Sequence, residues 1–314
     1  MASLERRSSL WAVVLAAGEG RRLVSLTRAL YGQELPKQFA EIEPGRTMLQ
    51  ATLDRIAPLV PLSRTVVVVD ETQVGHARSQ LARYPGVDLA LQPKNLDTGP
   101  GILFPLARIL ARDPLATVAI FPSDHDVPRR DPFLDAAERA ASPSPGTRDR
   151  ITLLGVVPDD VEGEYGWIVP GRPIDGVLRG VSRFVEKPPA PVAAALFADG
   201  ALWNTFVSAA RLETYLALAA SALPAATALF RQYSGAVGTA GERFVLRAIY
   251  DRLAPANFSR AVLERARGLA VLPVEGSGWS DWGSPERVLR SLEQRGQAES
   301  LRARLAGAVA SASA

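Results

Sequence analysis

The sequence predicts an α/β fold in which helices cover both faces of one sheet. Short apolar runs alternate with stretches of helical spacing through the first half of the chain, as in successive βαβ units. The run Thr65–Val69 is β-branched at every position, which is typical of a parallel strand buried on both faces. With 314 residues, the chain is long enough for one large core or two ordinary ones.

The elements of the first half follow from periodicity and composition. Strands are predicted where apolar or β-branched residues form short runs: Trp11–Ala17, Thr65–Val69, Val87–Leu91 and Thr117–Phe121. Helices are predicted where apolar residues recur at helical spacing, over 47–60, 74–83 and 101–112.

The second half continues the pattern after a polar, proline-rich loop at 141–150. Strands are predicted over 151–157, 181–186 and 270–274, and helices over 190–198, 208–220 and 241–253. Ser284 is placed to cap a last helix that has Pro285 at its first position. We therefore expect a single domain over 10–295, with halves at about 10–140 and 150–295. Residues 1–9 and 305–314 are expected to be flexible tails.

Composition excludes several functional classes. The chain has no cysteine, which rules out disulfides, thiolate catalysis and zinc–thiolate sites within it. No apolar run reaches the roughly 18 residues of a membrane span, and the N-terminus lacks the core of a signal peptide. Since cysteine, a membrane span and a signal peptide are all missing, we expect a cytoplasmic location. There is no dense Lys/Arg run with interleaved aromatics, so we predict no nucleic-acid partner. The net charge of +3 suits small anionic substrates.

The first chemical motif follows the first strand, in the sequence AAGEGRRL at 16–23. Its glycines allow successive backbone N–H groups to turn toward an anion, and Arg22 adds positive charge. The motif is neither a dinucleotide fingerprint, because Leu23 replaces the third glycine, nor a P-loop, because no Gly-Lys-Ser/Thr follows. Taken alone, it also fits an ordinary strand-to-helix connection.

Lys37 is the second candidate, in the sequence PKQF at 36–39. A single lysine after proline is usually a solvated loop charge. Because it closely follows the glycine loop, it becomes a candidate phosphate ligand acting as a point charge.

With these two motifs, the chain resembles the mannose-1-phosphate guanylyltransferases and their nucleotidyltransferase relatives. Those enzymes open with a Gly-rich loop ending in Thr-Arg-Leu, followed by Pro-Lys-Gln-Phe. The resemblance continues to about residue 290 through motifs in the same order: QPKNLDTGPG at 92–101, FPSDH at 121–125, YGWI at 165–168, FVEKP at 184–188, WNT at 203–205 and WSDWG at 279–283. Each motif is weak alone, and their shared order makes the resemblance specific.

The resemblance implies a Rossmann-like, mixed and mostly parallel sheet of the nucleotide-diphospho-sugar transferase type, similar to glycosyltransferase A. The implied activity joins a sugar-1-phosphate, with mannose favoured, to a nucleoside triphosphate, with GTP favoured, and releases pyrophosphate. The implied nucleotide-binding residues are Ala17, Gly18, Gly20, Arg22, Lys37, Asn95 and Thr98. The implied ligands of the sugar phosphate are Gly166, Glu186, Lys187 and Asn204.

Asp124 and Asp281 are the candidate metal ligands and, with Arg22 and Lys37, the candidate catalytic residues. Asp124 follows an apolar strand, and the carboxyl ends of strands are where open α/β sheets bind ligands. Two carboxylates brought together can hold Mg²⁺, which takes oxygen ligands and keeps substrate phosphates in its shell. Alternatively, Asp124 is a turn cap and Asp281 an Asx-turn residue. The neighbouring His125 is expected to orient the loop.

Departures from the family pattern leave alternatives open. Arg21 replaces a threonine, Leu96 an arginine, and Gly99 and Gly101 replace alanines, at positions where the family reads base and ribose. The chain could use another base or sugar, or be a catalytically silent homologue that binds a sugar nucleotide and regulates a partner. A methylerythritol-type cytidylyltransferase shares the first two motifs but not the later ones. No C-terminal β-helix or cupin-like domain is seen, so we expect a stand-alone transferase domain. A homodimer is a further hypothesis.

Overall fold

A computed structural model describes residues 9–142 and 144–312 of the chain, and within them nine strands form one mixed sheet. The strands are β1 (Leu10–Leu15), β2 (Thr65–Asp70), β3 (Asp88–Gln92), β4 (Thr117–Pro122), β5 (Ile151–Val156), β6 (Gly166–Asp175), β7 (Leu178–Glu186), β8 (Leu202–Arg211) and β9 (Leu269–Pro273). Their order is β3-β2-β1-β4-β8-β5-β9-β7-β6, and β6 also pairs with β8.

The helices lie between these strands and after them. They are α1 (Val24–Tyr31), α2 (Met48–Ile56), α3 (Val74–Leu81), α4 (Thr98–Leu110), α5 (Arg130–Ala140), α6 (Ala190–Ala198), α7 (Leu212–Ala222), α8 (Pro224–Ser234), α9 (Glu242–Tyr250), α10 (Pro285–Glu293) and α11 (Ala298–Ala312). A π-helix covers Ser259–Leu263. No helix in the described ranges is long and apolar enough to cross a membrane.

The prediction of a sheet covered on both faces is confirmed by the two hydrophobic cores. In β1, Ala12 and Val14 pack into one core while Trp11 and Val13 pack into the other. The strands of the first half pair in parallel, β1 with both β2 and β4, and β2 with β3. The second half is mostly antiparallel, with β5 and β9 as a parallel pair. The carboxyl ends of β1, β2 and β4 therefore meet at one edge.

Strand β8 corrects the predicted helix over 208–220. The residues up to Arg211 are strand, and the helix begins only at Leu212. The alanine-rich stretch has helical propensity, but β8 pairs with β4 at one edge and β5 at the other. Pairing and burial on both sides outweigh intrinsic propensity here.

Residues 305–312, which were expected to belong to a flexible tail over 305–314, lie in helix α11. Leu301 and Leu305 pack against the core, and Arg304 donates hydrogen bonds to the carbonyls of Glu41 and Ile42 at 2.8 and 2.9 Å. These contacts anchor the helix to the loop before α2. The other expected tail covers residues 1–9, of which residues 1–8, like residues 313–314, lie outside the described residues.

Side-chain caps fix the starts of α2 and α10. Thr47 and Gln50 form a capping box at the start of α2. Ser284 accepts a hydrogen bond from the backbone N–H of Arg287, as predicted for the cap of α10.

Candidate active site

The loop after β1 exposes a row of backbone donors. The backbone N–H groups of residues 17–22 have no acceptor among the described residues. The loop carbonyls, by contrast, are held by side-chain amides: Gln38 donates to the oxygens of Ala16 and Gly18 at 2.9 and 2.7 Å, and Gln73 donates to Gly18 at 3.1 Å. With its carbonyls fixed and its N–H groups free, the loop has the character of an anion-binding nest.

Gly20 allows this loop to approach the second motif. Its φ of +64° lies in the left-handed region, and a Cβ there would lie 2.6 Å from the backbone nitrogen of Lys37. Only glycine satisfies both conditions without strain. Gly20 therefore brings the start of the Arg21–Leu23 turn against Lys37.

Lys37, Arg22 and the two aspartates form one cluster. The buried Lys37 ammonium lies 3.4 Å from Oδ2 of Asp124 and donates a hydrogen bond to the backbone carbonyl of Asp281. Nη2 of Arg22 lies 3.0 Å from Oδ2 of Asp281. The four candidate catalytic residues are thus brought together from four separate segments of the chain.

Asp281 is held more tightly than its sequence context indicates. Its Oδ1 accepts hydrogen bonds from the backbone N–H of Gly283, at 2.8 Å, and from the Tyr165 hydroxyl. A Cβ at Gly283 would lie 2.8 Å from Nη1 of Arg22, so a side chain there would require the ion pair to shift. The Asx-like turn considered from the sequence is present, and the same carboxylate also pairs with Arg22.

Tyr165 and Arg287 form a support behind Asp281 that the sequence analysis did not single out. Nη1 of Arg287, in the first turn of α10, donates to the Tyr165 hydroxyl at 2.7 Å, and the guanidinium also pairs with Glu162. The guanidinium carbon lies 5.0 Å from the centroid of the Tyr165 ring. Tyr165 belongs to a quoted motif, whereas nothing in the sequence marks Arg287.

Electrostatics keeps both aspartates ionised. Burial raises the pKa of Asp281, but the Tyr165 hydrogen bond and the charge of Lys37 outweigh it, and the pKa lies below its ordinary value. The half-buried Asp124 likewise has a lowered pKa, because Lys37 outweighs the effect of burial. Burial lowers the pKa of His125 to about 4, so that histidine is neutral. Its Nδ1 accepts a hydrogen bond from Trp279 at 3.1 Å, which orients the ring.

The pair of aspartates fits a magnesium ion that is also bound by substrate. The described residues hold no group of three or more His, Cys, Asp or Glu side chains placed to bind a metal. Mg²⁺ commonly uses only one or two carboxylates and fills its octahedral shell with waters and phosphate oxygens. Asp124 and Asp281 supply two ionised oxygen donors beside the loop with free N–H groups, and this donor set suits that arrangement.

Three of the four predicted sugar-phosphate ligands meet at the end of the β6–β7 hairpin. Gly166 pairs with Glu186 across the hairpin, and a Cβ at Gly166 would lie 2.7 Å from Oε2 of Glu186 and 3.3 Å from Cβ of Asn204. Burial raises the pKa of Glu186, against the charge of Lys187. Oδ1 of Asn204 accepts a hydrogen bond from the backbone of Phe206 at 3.2 Å, leaving its amide N–H groups for a ligand.

Lys187 lies beside these three residues, but its side chain points toward Glu164. Its φ of +49° is unusual for a residue with a side chain, and its backbone N–H donates to the carbonyl of Tyr165 at 3.0 Å. The half-exposed ammonium lies 3.3 Å from Oε2 of Glu164. Such an exposed pair is weak, so the ammonium remains available to a phosphate.

The predicted base-reading loop is occupied by internal contacts. Oδ1 of Asn95 accepts from the backbone N–H of Asp97 at 3.0 Å, and Oγ1 of Thr98 accepts from the backbone N–H of Phe258 at 2.8 Å. Leu96, at the family's arginine position, is buried in the core. A Cβ at Gly99 would lie 2.6 Å from the carbonyl oxygen of Ala256, which explains the glycine. Nothing in the sequence marks the segment around residue 256.

A family model and curated relatives match most of the chain. A family model described as "Nucleotidyl transferase" matches residues 11–296. The xanthan biosynthesis protein XanB of Xanthomonas campestris is 30% identical over 296 residues, which cover 92% of this chain and 61% of XanB. The mannose-1-phosphate guanylyltransferase ManC of Salmonella typhimurium is 32% identical over 294 residues, covering 89% of this chain and 58% of ManC. This chain thus spans about three fifths of the length of these curated relatives.

Solved structures share the fold. A crystal structure from Thermus thermophilus described as mannose-1-phosphate geranyltransferase has a TM-score of 0.76 and 29% identity, covering 90% of this chain and 79% of its own. A Helicobacter pylori structure described as mannose-6-phosphate isomerase has a TM-score of 0.69 over 87% of this chain and 99% of its own. At 17% identity, this second match supports the fold alone.

Proposed function

The chain belongs to the nucleotidyl transferase family, and on this premise we propose that it joins a sugar-1-phosphate to a nucleoside triphosphate and releases pyrophosphate. Mannose-1-phosphate and GTP are the favoured substrates, because curated relatives with 26–32% identity carry the name mannose-1-phosphate guanylyltransferase. Another base or sugar remains the alternative, since Leu96 and Gly99 differ from the family pattern in the base-reading loop.

One observation carries the proposal. The cations Arg22 and Lys37 and the carboxylates Asp124 and Asp281 meet at the edge where the free N–H groups of residues 17–22 lie. Cations and oriented N–H groups suit a triphosphate, and ionised carboxylates suit the metal that accompanies it. An ordinary strand-to-helix connection would not need two cations, two carboxylates and free N–H groups in one place.

The reaction needs no covalent intermediate on the protein. A phosphate oxygen of the sugar-1-phosphate attacks the α-phosphorus of the triphosphate in line, a new P–O bond forms, and the bond to the β-phosphate oxygen breaks to release pyrophosphate. Catalysis then consists mainly of positioning and charge stabilisation. The 17–22 N–H groups, Arg22 and Lys37 would hold the triphosphate.

The sugar half would position the nucleophile. Lys187 would bind the phosphate of the sugar-1-phosphate, and Glu186, Asn204 and the backbone at Gly166 would bind sugar hydroxyls. Burial of the Glu186 carboxyl strengthens such hydrogen bonds, because water competes less for it. Asp124 and Asp281 would hold Mg²⁺, which when bound supplies positive charge to the phosphate oxygens.

Binding requires an exchange of ion pairs. Lys37 pairs with Asp124 and Arg22 with Asp281 in this structure. Phosphate oxygens would compete for the two cations, and metal would compete for the two carboxylates. Triphosphate and metal are therefore expected to bind together more tightly than either alone.

A substrate matrix tests the proposal. Nucleoside triphosphates are combined with hexose-1-phosphates in the presence of Mg²⁺, and pyrophosphate release is measured. We expect release only when triphosphate, sugar phosphate and metal are all present, with GTP and mannose-1-phosphate the best pair. Tight sugar-nucleotide binding without turnover in any combination would instead support a silent, regulatory homologue. The predicted cytoplasmic location and homodimer stay predictions.

A further inference from the structure

The segment 256–264, called here the bracket, touches both predicted substrate sites. It consists of three residues, the π-helix Ser259–Leu263 that follows them, and Glu264. Its first residues bind the 95–99 loop of the nucleotide half, and its last residue binds the end of β7 in the sugar half. Single π-helical turns are rare and often occur at functional sites.

The nucleotide end of the bracket is fastened through the backbone. The N–H of Ala256 donates to the carbonyl of Leu96 at 3.0 Å, and the N–H of Gly99 donates to the carbonyl of Ala256 at 2.7 Å. The N–H of Phe258 donates to Oγ1 of Thr98 at 2.8 Å. These hydrogen bonds join the bracket to the loop at this end.

Asn257 connects these contacts to the π-helix. Its Nδ2 donates to Oδ1 of Asp97 at 3.2 Å, while its Oδ1 accepts from the backbone N–H of Arg260 at 3.1 Å. Asp97 has a φ of +67°, a strained conformation that needs support from its surroundings. The Asn257 amide supplies that support and ties Asp97 to the first turn of the π-helix.

The sugar end of the bracket contacts Glu186. Oε1 of Glu264 accepts a hydrogen bond from the backbone N–H of Glu186 at 2.7 Å. The residue that follows the π-helix thus holds the backbone of one predicted sugar ligand.

The interior of the bracket is packed. Phe258, Val262 and Leu263 are buried in the same hydrophobic core as Leu96. Packed interiors transmit displacements instead of absorbing them, because they have few voids. A shift of the 95–99 loop would therefore be passed to Glu186.

We propose that the bracket couples the two substrate sites, so that binding of the nucleotide through the 95–99 loop positions Glu186 for the sugar phosphate. The coupling is reciprocal, because a change in one affinity caused by the other ligand must work equally in both directions. Asn257 and Glu264 are the positioning residues at its two ends, and neither needs to touch a substrate. This inference rests on the proposed function.

The test measures coupling directly, without turnover. The ligands are mannose-1-phosphate and the α,β-methylene analogue of GTP, whose α–β linkage the reaction cannot break. Calorimetry with Mg²⁺ gives the dissociation constant of mannose-1-phosphate with and without saturating analogue. For the unmodified protein, we expect the analogue to tighten sugar-phosphate binding by about fivefold or more.

The variants separate coupling from simple binding. Asn257→Ala and Glu264→Ala should reduce the coupling to less than about twofold, while each ligand alone binds with nearly unchanged affinity. Glu264→Gln keeps the acceptor oxygen and should retain the coupling. Arg265→Gln changes an exposed neighbouring charge by one and serves as the matched control. Thermal unfolding of each variant checks that it is folded.

The outcomes distinguish the two proposals. If the unmodified protein binds both ligands without coupling, or if Glu264→Ala keeps the full coupling, the bracket proposal is overturned and the proposed function stands. If the protein binds neither these ligands nor any pair from the substrate matrix, the proposed function fails and the bracket proposal falls with it.

Discussion

The hydroxyl of Tyr165 donates a hydrogen bond to the Asp281 carboxylate across 116 positions of sequence. The same hydroxyl accepts from Arg287, so the tyrosine is fixed from both sides. The contact lowers the pKa of Asp281 and sets the direction in which its carboxylate faces Arg22.

Tyr165→Phe should therefore weaken metal binding while the fold is kept. Phenylalanine preserves the ring contacts with Trp203 and Trp279 but removes a hydrogen bond to a charged group, which contributes about 1.5–3 kcal/mol. We expect the Mg²⁺ concentration at half-maximal rate to rise about tenfold or more, and the acid limb of the pH–rate profile to move to higher pH. An unchanged Mg²⁺ requirement would show that the hydroxyl does not support a metal ligand.

Asp124→Asn and Asp281→Asn should each lose most activity and still fold. Asparagine keeps the shape but removes the charge proposed to bind metal. Pyrophosphate release is measured over a range of Mg²⁺ concentrations, with Asp131→Asn as an exposed control on the surface of α5. A variant that kept near-normal rates at limiting Mg²⁺ would exclude its aspartate as a metal ligand.

Lys37→Ala and Lys187→Ala should separate the two substrates. Lys37 lies beside the glycine loop, so its loss should mainly raise the KM for the triphosphate; Lys187 lies beside Glu186, so its loss should mainly raise the KM for the sugar phosphate. Part of each effect should reach kcat, since charge shifts among these oxygens in the transition state. Steady-state kinetics with one substrate varied at a time gives the answer. If each variant raised the KM for both substrates equally, the assignment of Lys37 to the triphosphate and Lys187 to the sugar phosphate would be wrong.

Gly99→Ala and Gly101→Ala should change the stability of the protein in opposite directions, although both residues lie in α4. A Cβ at Gly99 would lie 2.6 Å from the Ala256 carbonyl oxygen, whereas at Gly101 the nearest atom is 3.7 Å away. Gly101→Ala should stabilise the helix by about 0.5–1 kcal/mol, as alanine usually does. Gly99→Ala should lower Tm and weaken triphosphate binding. Thermal unfolding and nucleotide titration test both, and two variants with the same sign of change would be incompatible with this packing.

The free energy of unfolding should depend on pH through the ionisation of Asp126. Burial raises its pKa to about 6, although Arg295 opposes the rise. The folded state then holds this proton more tightly than the unfolded chain, where the pKa of aspartate is about 3.9. Its contribution to stability is full below pH 4 and is lost as the pH rises through 6.

Replacing Asp126 by asparagine should remove this dependence. The free energy of unfolding of the unmodified protein should fall, relative to that of Asp126→Asn, by at most on the order of 3 kcal/mol between pH 4 and pH 7. Urea unfolding at several pH values measures the difference, with Asp131→Asn again as the control. Parallel curves for the protein and Asp126→Asn would contradict the raised pKa.

The sequence predicted most strands of the sheet, though not β6, and it predicted the meeting of the main cluster. Asp124 follows a buried strand, and the carboxyl ends of parallel strands share one edge, so its approach to the glycine loop and Lys37 could be expected. Strand β8 was misread in part, because its alanines favour helix and only pairing on both edges makes it a strand.

The supporting contacts could not be predicted. Arg287 reaches Tyr165 across 122 positions and the Phe258 backbone reaches Thr98 across 160, and neither pair leaves a local spacing in the sequence. The bracket is held largely through backbone groups, which every residue carries. Residue types therefore marked the groups that face a substrate but not those that hold them in place.

Strand β8 limits how relatives of this protein can be recombined. Its last residues pair with β4 of the nucleotide half, and its first residues pair with β6 of the sugar half. A chimera joined in the 141–150 loop would combine β4 from one parent with β8 from the other, and their packing would have to match by chance. Sugar preference is more safely altered by grafting the ends of β6 and β7 than by exchanging whole halves.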